Sequence, residues 1–115
     1  MKEVEANKGT TAEEYKVKYG KVYRVAVTLD PDDSTTVNLE YYFKKPATAS
    51  YDRYVKGVSQ SSTKALKAFV LDNIVDEQTE KLEADLEEYP AFALSVGEKL
   101  LNMLGLSKDI NLKQL

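Results

Sequence analysis

The sequence predicts an α+β fold, in which an N-terminal β-hairpin packs against three to four C-terminal α-helices. Between residues 21 and 45, two runs place an apolar side chain at every second position, which is the period of a β-strand. After Pro46, apolar residues recur at spacings of three and four, which is the period of a helix that buries one face. The 115 residues suffice for one hydrophobic core and are too few for two.

A single domain is predicted over residues 11–106. The preceding residues 1–10 are polar and show no apolar period, so they are predicted to form a flexible arm. The tail at residues 107–115 carries apolar side chains that fit a strand and a helix equally well, and it is expected to be loosely held.

Two patterns overlap just before the hairpin. Residues 11–14, Thr-Ala-Glu-Glu, have the spacing of a capping box and favour a short helix that extends to about Lys18. The same segment alternates at Tyr15, Val17 and Tyr19, which favours a third strand over residues 13–20. The sheet is therefore predicted to have two strands, or three if residues 13–20 form a strand. Helix and strand are equally compatible with this segment.

The alternation gives the hairpin one fully apolar face. It is formed by Tyr23, Val25, Val27, Leu29, Val37, Leu39, Tyr41 and Phe43. A slip of one residue would move this whole set into water, so the register is expected to be tightly held. Pro31 and the acidic residues around it predict a solvated turn, because a calcium loop of the EF-hand type needs a glycine and a distant glutamate that this segment lacks.

Two helices are predicted directly after the hairpin. The first is capped by Thr48 or Ser50 and carries Tyr51, Tyr54, Val55 and Val58 on one face. The second is capped by Ser62 or Thr63 and carries the stripe Leu66, Phe69, Val70 and Ile74. The second helix has the wider stripe, so it is predicted to be the most buried and to cover the apolar face of the hairpin.

The C-terminal part is predicted to contain two further helices. Residues 76–88 are strongly acidic and are interpreted as the solvated face of a helix that begins near Thr79. The last helix is predicted over residues 90–104, since proline favours the first helical position and Gly105 favours the position after the end. Its two apolar lines predict a broad buried stripe, and Gly97 offers a place for another backbone to approach closely.

Composition excludes several classes of function. The chain contains neither cysteine nor histidine, which removes thiol nucleophiles, disulfides, imidazole catalysis and the usual zinc sites. No catalytic, cofactor-binding or metal-binding residue is predicted, and the protein is not expected to be an enzyme. The net charge of −3 argues against a nucleic-acid partner, and the short apolar runs argue against a membrane segment or signal peptide, so a cytoplasmic protein is expected.

Eight tyrosines and no tryptophan make tyrosine the main candidate for an interface residue. Tyr42, Tyr51 and Tyr54 cluster around the exit of the hairpin, where an amphipathic ring fits either the edge of a core or a protein interface. The strand that begins at Val22 carries only Arg24 as interior charge, which leaves its edge poorly protected. These five residues are the predicted protein interface. A homo-oligomer is expected, formed by strand pairing or through the tyrosine-rich helix, with the same surface binding the partner.

Four segments together resemble a known group of proteins: residues 22–25 (VYRV), 40–46 (EYYFKKP), 71–75 (LDNIV) and 89–101 (YPAFALSVGEKLL). Their order and spacing resemble small proteins that are encoded in phage and prophage tail gene clusters and described as tail assembly chaperone-like. The resemblance implies a non-enzymatic cytoplasmic protein that binds the tape measure protein during tail assembly. The alternatives are a structural tail or virion component and a small host regulator that binds another protein. The resemblance carries no functional residue over to this chain.

Overall fold

The computed structural model describes residues 12–115 and shows an α+β fold. The predicted arm at residues 1–10 and the capping residue Thr11 lie outside the described residues. The elements in chain order are α1 (residues 12–19), β1 (Val22–Asp32), β2 (Thr35–Lys44), α2 (Thr48–Val58), α3 (Ser62–Asn73), a 3-10 turn (Asp76–Gln78), α4 (Thr79–Glu88) and α5 (Phe92–Met103). No helix among these residues is long and apolar enough to cross a membrane.

The segment before the hairpin forms helix α1, so the third strand considered for residues 13–20 is not formed. Tyr15 and Tyr19 lie one helical turn apart, and both rings turn toward the hairpin. The Tyr15 ring packs edge-on against the ring of Tyr42, with 5.3 Å between the ring centres. Gly20 follows the helix at a φ of 81°, a conformation that glycine adopts without strain. Burial of two tyrosines on one face therefore favours the helix over the strand.

β1 and β2 form the predicted antiparallel hairpin. The register pairs Tyr23 with Phe43, Val25 with Tyr41 and Val27 with Leu39, so the expected apolar side chains share one face. Burial along this face is graded: Tyr41 and Phe43 of β2 are fully buried, Val25, Val27 and Leu39 are half-buried against the core, and Tyr23 is 36% exposed although it pairs with Phe43. The helices thus cover the end of β2 more completely than they cover β1 or the distal part of the hairpin.

Helix α3 lies at the centre of the core. It packs against α2, α4 and α5, and its Phe69 and Val70 are almost completely buried. A Cβ atom at Gly97 of α5 would lie 2.4 Å from a methyl carbon of Leu66, so glycine is required for the close approach of α5 to α3. Gly97 was predicted to allow another backbone to approach closely; the neighbours that approach it are the side chains of Leu66 and Val70.

Helix α5 begins at Phe92, two residues later than predicted. The intervening residues form a tight turn, in which the backbone N–H of Phe92 donates to the carbonyl of Tyr89 over 3.2 Å. Gly105 follows the helix at a φ of 108°, as a residue past a helix end often does. The tail after Gly105 contacts α5 through an ion pair of 2.9 Å between Lys108 and Glu98.

Lowering the pH is expected to weaken the attachment of α1. The Tyr19 hydroxyl donates to Glu77 over 2.6 Å, and Lys18 lies 3.1 Å from the same carboxylate. These two contacts, the phenol first, hold the pKa of Glu77 below its usual value of 4.5. The stabilisation is therefore present above pH 4.5 and is lost as the pH falls through the lower pKa of the folded state.

The thermal midpoints of the wild type and of a Tyr19→Phe variant measure this effect. The wild type is expected to melt at a higher temperature near neutral pH, and the difference should shrink once Glu77 is protonated in both states, to the part due to the Asp76 N–H that donates to the Tyr19 hydroxyl. A difference that persists unchanged into strong acid would show that Glu77 does not hold α1.

Candidate protein-binding surface

A buried polar contact sets the orientation of α2 on α3. Ser50 of α2 and Asn73 of α3 are both buried. The Asn73 amide donates to the Ser50 hydroxyl over 3.0 Å and to the carbonyl oxygen of Phe69 over 2.8 Å. On the outer side of this contact, Arg53 donates to Asp72 over 2.9 Å. Because a buried polar group needs a hydrogen-bond partner, this contact fixes the rotational orientation of α2 about its own axis.

A close backbone approach reinforces the same orientation. A Cβ atom at Gly57 would lie 3.2 Å from the Cβ atom of Ala65, which is tighter than most side-chain contacts. Helix α2 therefore turns its small and polar residues, Ser50 and Gly57, toward α3.

As a consequence, three of the four residues of the apolar stripe of α2 face outward. Tyr51, Val55 and Val58 lie at positions i, i+4 and i+7, and all three are exposed, Val55 by 49%. A helix of a soluble domain usually buries its apolar stripe against the core and exposes its polar side. In α2 only Tyr54 of the stripe packs on the core, while Tyr51, Val55 and Val58 remain exposed, which marks its outer face as a candidate interface.

Helix α5 extends this apolar surface across a groove. A groove of about 670 Å³ lies between α2 and the end of α5, and its lining residues are Thr48, Tyr51, Tyr54, Leu101, Leu104, Gly105 and Leu106. A second groove, of about 710 Å³, lies between α3 and the start of α5. It is lined by Leu94 and by Tyr54, which also lines the first groove. Leu94 is 66% exposed. We call the side chains of Tyr51, Tyr54, Val55, Val58, Leu94, Leu101 and Leu104 the α2–α5 surface.

Tyr54 forms the ridge between the two grooves. Its ring packs against the buried ring of Phe69 at 5.2 Å between centres, tilted by 40°. An aromatic side chain held in this way loses little further entropy on binding, which is typical of anchor residues in protein interfaces. The α2–α5 surface thus has a rigid centre that the core itself positions.

The five predicted interface residues do not form one patch. Tyr51 and Tyr54 belong to the α2–α5 surface, whereas Arg24 lies on the hairpin, 3.8 Å from Glu40. Val22 is half-buried against the cluster that α1 covers. Tyr42 is only 7% exposed, and its inclusion in the interface is corrected, because α1 and Val75 enclose its ring.

The broad buried stripe predicted for α5 includes a second line of Leu94, Leu101 and Leu104, of which Leu101 and Leu104 are half-buried against the core and Leu94 is instead exposed. The first line, which includes Phe92, Val96 and Leu100, fills the core. A helix with two apolar lines has more apolar area than one neighbouring helix covers. This excess of apolar area in the sequence could have predicted the exposure of Leu94.

The polar clusters of the domain serve the fold. The Tyr41 hydroxyl donates to Asp85, and the ammonium group of Lys81 lies 4.1 Å from the centre of the Tyr41 ring. Burial, and then the contact with Asp85, raise the pKa of Tyr41 far above its usual range, so the phenol keeps its proton and joins β2 to α4. Across residues 12–115, no acidic side chains converge in a group of three that could hold a metal ion.

Replacing Asn73 by alanine is expected to lower the free energy of unfolding by about 1–3 kcal/mol, because two buried hydrogen bonds are lost at once. The matched control is Arg53→Ala, which removes an exposed ion pair next to the same contact and is expected to cost less than about 1 kcal/mol. Urea unfolding followed by circular dichroism measures both. Equal losses in the two variants would contradict the anchoring role of Asn73.

Taken together, these features define a small α+β domain with an uncovered apolar surface built by two helices around α3. The chain belongs to the DUF6848 family, a domain of unknown function, whose profile matches residues 15–113. Among solved structures, it is similar to an uncharacterised protein from Bacillus stearothermophilus, at 27% sequence identity and a TM-score of 0.76. That similarity covers 89% of this chain and 99% of the other. No curated protein matches the chain significantly.

Proposed function

We propose that the protein is a non-enzymatic binding protein that covers an amphipathic helix of a partner with its α2–α5 surface. The observation that carries this proposal is the orientation of α2, which buries Ser50 and exposes Tyr51 and Val55. Exposing an apolar stripe weakens the stability and solubility of a lone domain, so its retention is best accounted for by a partner that covers it.

The shape of the surface favours a helix as the partner element. Two helices that flank a groove, with an aromatic ridge at its centre, accept the apolar side chains of a third helix at spacings of three and four residues. Charged side chains at the rim of the second groove, Lys67 and Glu87, form an ion pair of 3.4 Å and leave the groove floor apolar. Apolar contacts at the centre and charges at the rim are the usual arrangement of a protein interface.

The tape measure protein is the partner that the sequence resemblance supports. A tape measure protein is long and helical, and a chaperone with an apolar surface would shield its helices in the cytoplasm before the tail assembles. Neither the family description nor the similar structure names a function, so the choice of this partner depends on the resemblance alone. A structural tail component or a host regulator would use the same surface on a different helix.

Co-expression tests the chaperone role. The proposal expects a gene for a tape measure protein beside the gene for this chain, and it expects that protein to stay soluble only when the two are co-expressed. The chain should also be absent from purified particles, whereas its presence there would favour the structural alternative. An adjacent tape measure protein that is equally soluble alone, and that does not co-purify with this chain, would overturn the proposal.

A further inference from the structure

The outer edge of β1 has no strand partner among the described residues. Within residues 12–115, β1 pairs with β2 and with no other strand. The corresponding edge of β2 is covered at its base, where the N–H of Tyr42 donates to the Gln78 side chain over 2.7 Å. The carbonyl of Tyr42 accepts from the N–H of Val75 over 3.0 Å. The outer edge of β2 is therefore covered at Tyr42, whereas the outer edge of β1 is free to pair with another strand.

The geometry of Tyr42 shows which groups of β1 are open. Its N–H and C=O point away from β1, so Arg24, its partner in the register, points its own N–H and C=O away from β2. The strand period of two extends this orientation to Ala26 and Thr28. Three N–H groups and three C=O groups thus line the free edge, where another strand can pair with them.

We propose that the protein forms a homodimer in which the β1 strands of two copies pair antiparallel about a two-fold axis at Ala26. The paired hairpins then form one four-stranded sheet. In this register Ala26 faces Ala26 of the second copy, and Arg24 faces Thr28 of the second copy. On the apolar face, Val25 faces Val27 of the second copy. Cross-strand pairs between β-branched side chains are favourable, and no like charges meet.

Registers with the axis at Arg24 or at Thr28 are less favourable. An axis at Arg24 would place two guanidinium groups directly opposite each other, which destabilises a strand pair. An axis at Thr28 would draw the irregularity between Leu29 and Asp32 into the pairing, together with Pro31, which has no N–H to donate. An axis at Ala26 avoids both the pair of guanidinium groups and the irregularity after Leu29.

The dimer also accounts for the graded burial of the hairpin. Val25 and Val27 are half-buried in one copy, and the second copy places its own apolar face beside them. A two-stranded hairpin is marginal by itself, whereas four strands give an extended sheet. This edge is separate from the α2–α5 surface, so the inference goes beyond the proposed function and either one can fail without the other.

An Ala26→Pro variant tests the pairing, with sedimentation velocity used to measure the dimer dissociation constant. The N–H of Ala26 points away from β2, so proline removes a donor from the dimer and leaves the hydrogen bonds of the hairpin intact. The wild type is expected to dimerise at micromolar concentration, and the variant is expected to bind at least about tenfold more weakly with an unchanged circular dichroism spectrum. A wild type that stays monomeric at all concentrations would overturn the inference.

A second pair of variants tests the pairing of the β1 strands even if Ala26→Pro disturbs the fold. Thr28→Glu places a carboxylate opposite Arg24 of the second copy, and Thr28→Lys places an ammonium group there. The glutamate variant is expected to dimerise more tightly than the lysine variant, by about tenfold over the two symmetric contacts. Equal dissociation constants, or a dimer that is insensitive to residue 28 and to Ala26→Pro, would show that the copies associate elsewhere.

Discussion

Replacement of Phe69 by alanine is expected to lower the free energy of unfolding by about 3–5 kcal/mol, which is the range for deleting a buried aromatic ring. Phe69 is almost completely buried at the centre of α3, and its ring supports that of Tyr54. The variant therefore loses core packing and also frees the ridge of the α2–α5 surface. Urea unfolding followed by circular dichroism measures the loss.

Leu39→Ala is the control for this prediction. The alternation of the hairpin for Leu39 and the helical stripe for Phe69 predict a loss of about 2–5 kcal/mol for either residue. Leu39, however, is half-buried on the distal part of the hairpin, so its loss is expected to lie at or below the bottom of that range. Equal losses for Leu39 and Phe69 would contradict the difference in burial between the two residues.

The second large effect concerns partner binding. A double variant, Val55→Glu with Leu94→Glu, is expected to weaken binding of a tape measure helix by about a hundredfold, because each charge must be desolvated in an apolar contact. Both side chains are exposed, so the thermal midpoint should change little. Titration calorimetry with a peptide of the helix measures the affinity.

Val17→Glu is the matched control for the double variant. Val17 is 88% exposed on α1, so the same change of side chain is made on a surface away from α2 and α5. Binding by this variant should equal that of the wild type. An equal loss in the control and in the double variant would show that the added negative charge, and not the α2–α5 surface, weakens the complex.

The hairpin and the central helix were predictable because local patterns determine them. The alternation from Tyr23 to Leu29 predicts the apolar face, and the register confirms it. The stripe around Phe69 likewise predicts that α3 is the most buried helix, and Gly97 marks its contact with α5. Each of these features follows from residues that are close together in the chain.

The orientation of α2 and the burial of Tyr42 could not be predicted in the same way. The stripe of α2 identifies an apolar face but does not show whether the core covers it, since that depends on Ser50 meeting Asn73 across two helices. Tyr42 lies on the polar face of the hairpin by alternation, and it is buried only because α1 folds over that face. Both features depend on contacts between residues that are far apart in the sequence.

Methyl NMR of the complex with a tape measure helix tests the central claim most directly. The methyl groups of Val55, Val58, Leu94 and Leu101 report on the α2–α5 surface, and those of Val17 report on a surface outside it. The proposed function predicts that the first set shifts with increasing peptide while the signals of Val17 stay in place. Shifts that are confined to α1 or the hairpin, with the α2–α5 methyl groups unchanged at saturation, would contradict it.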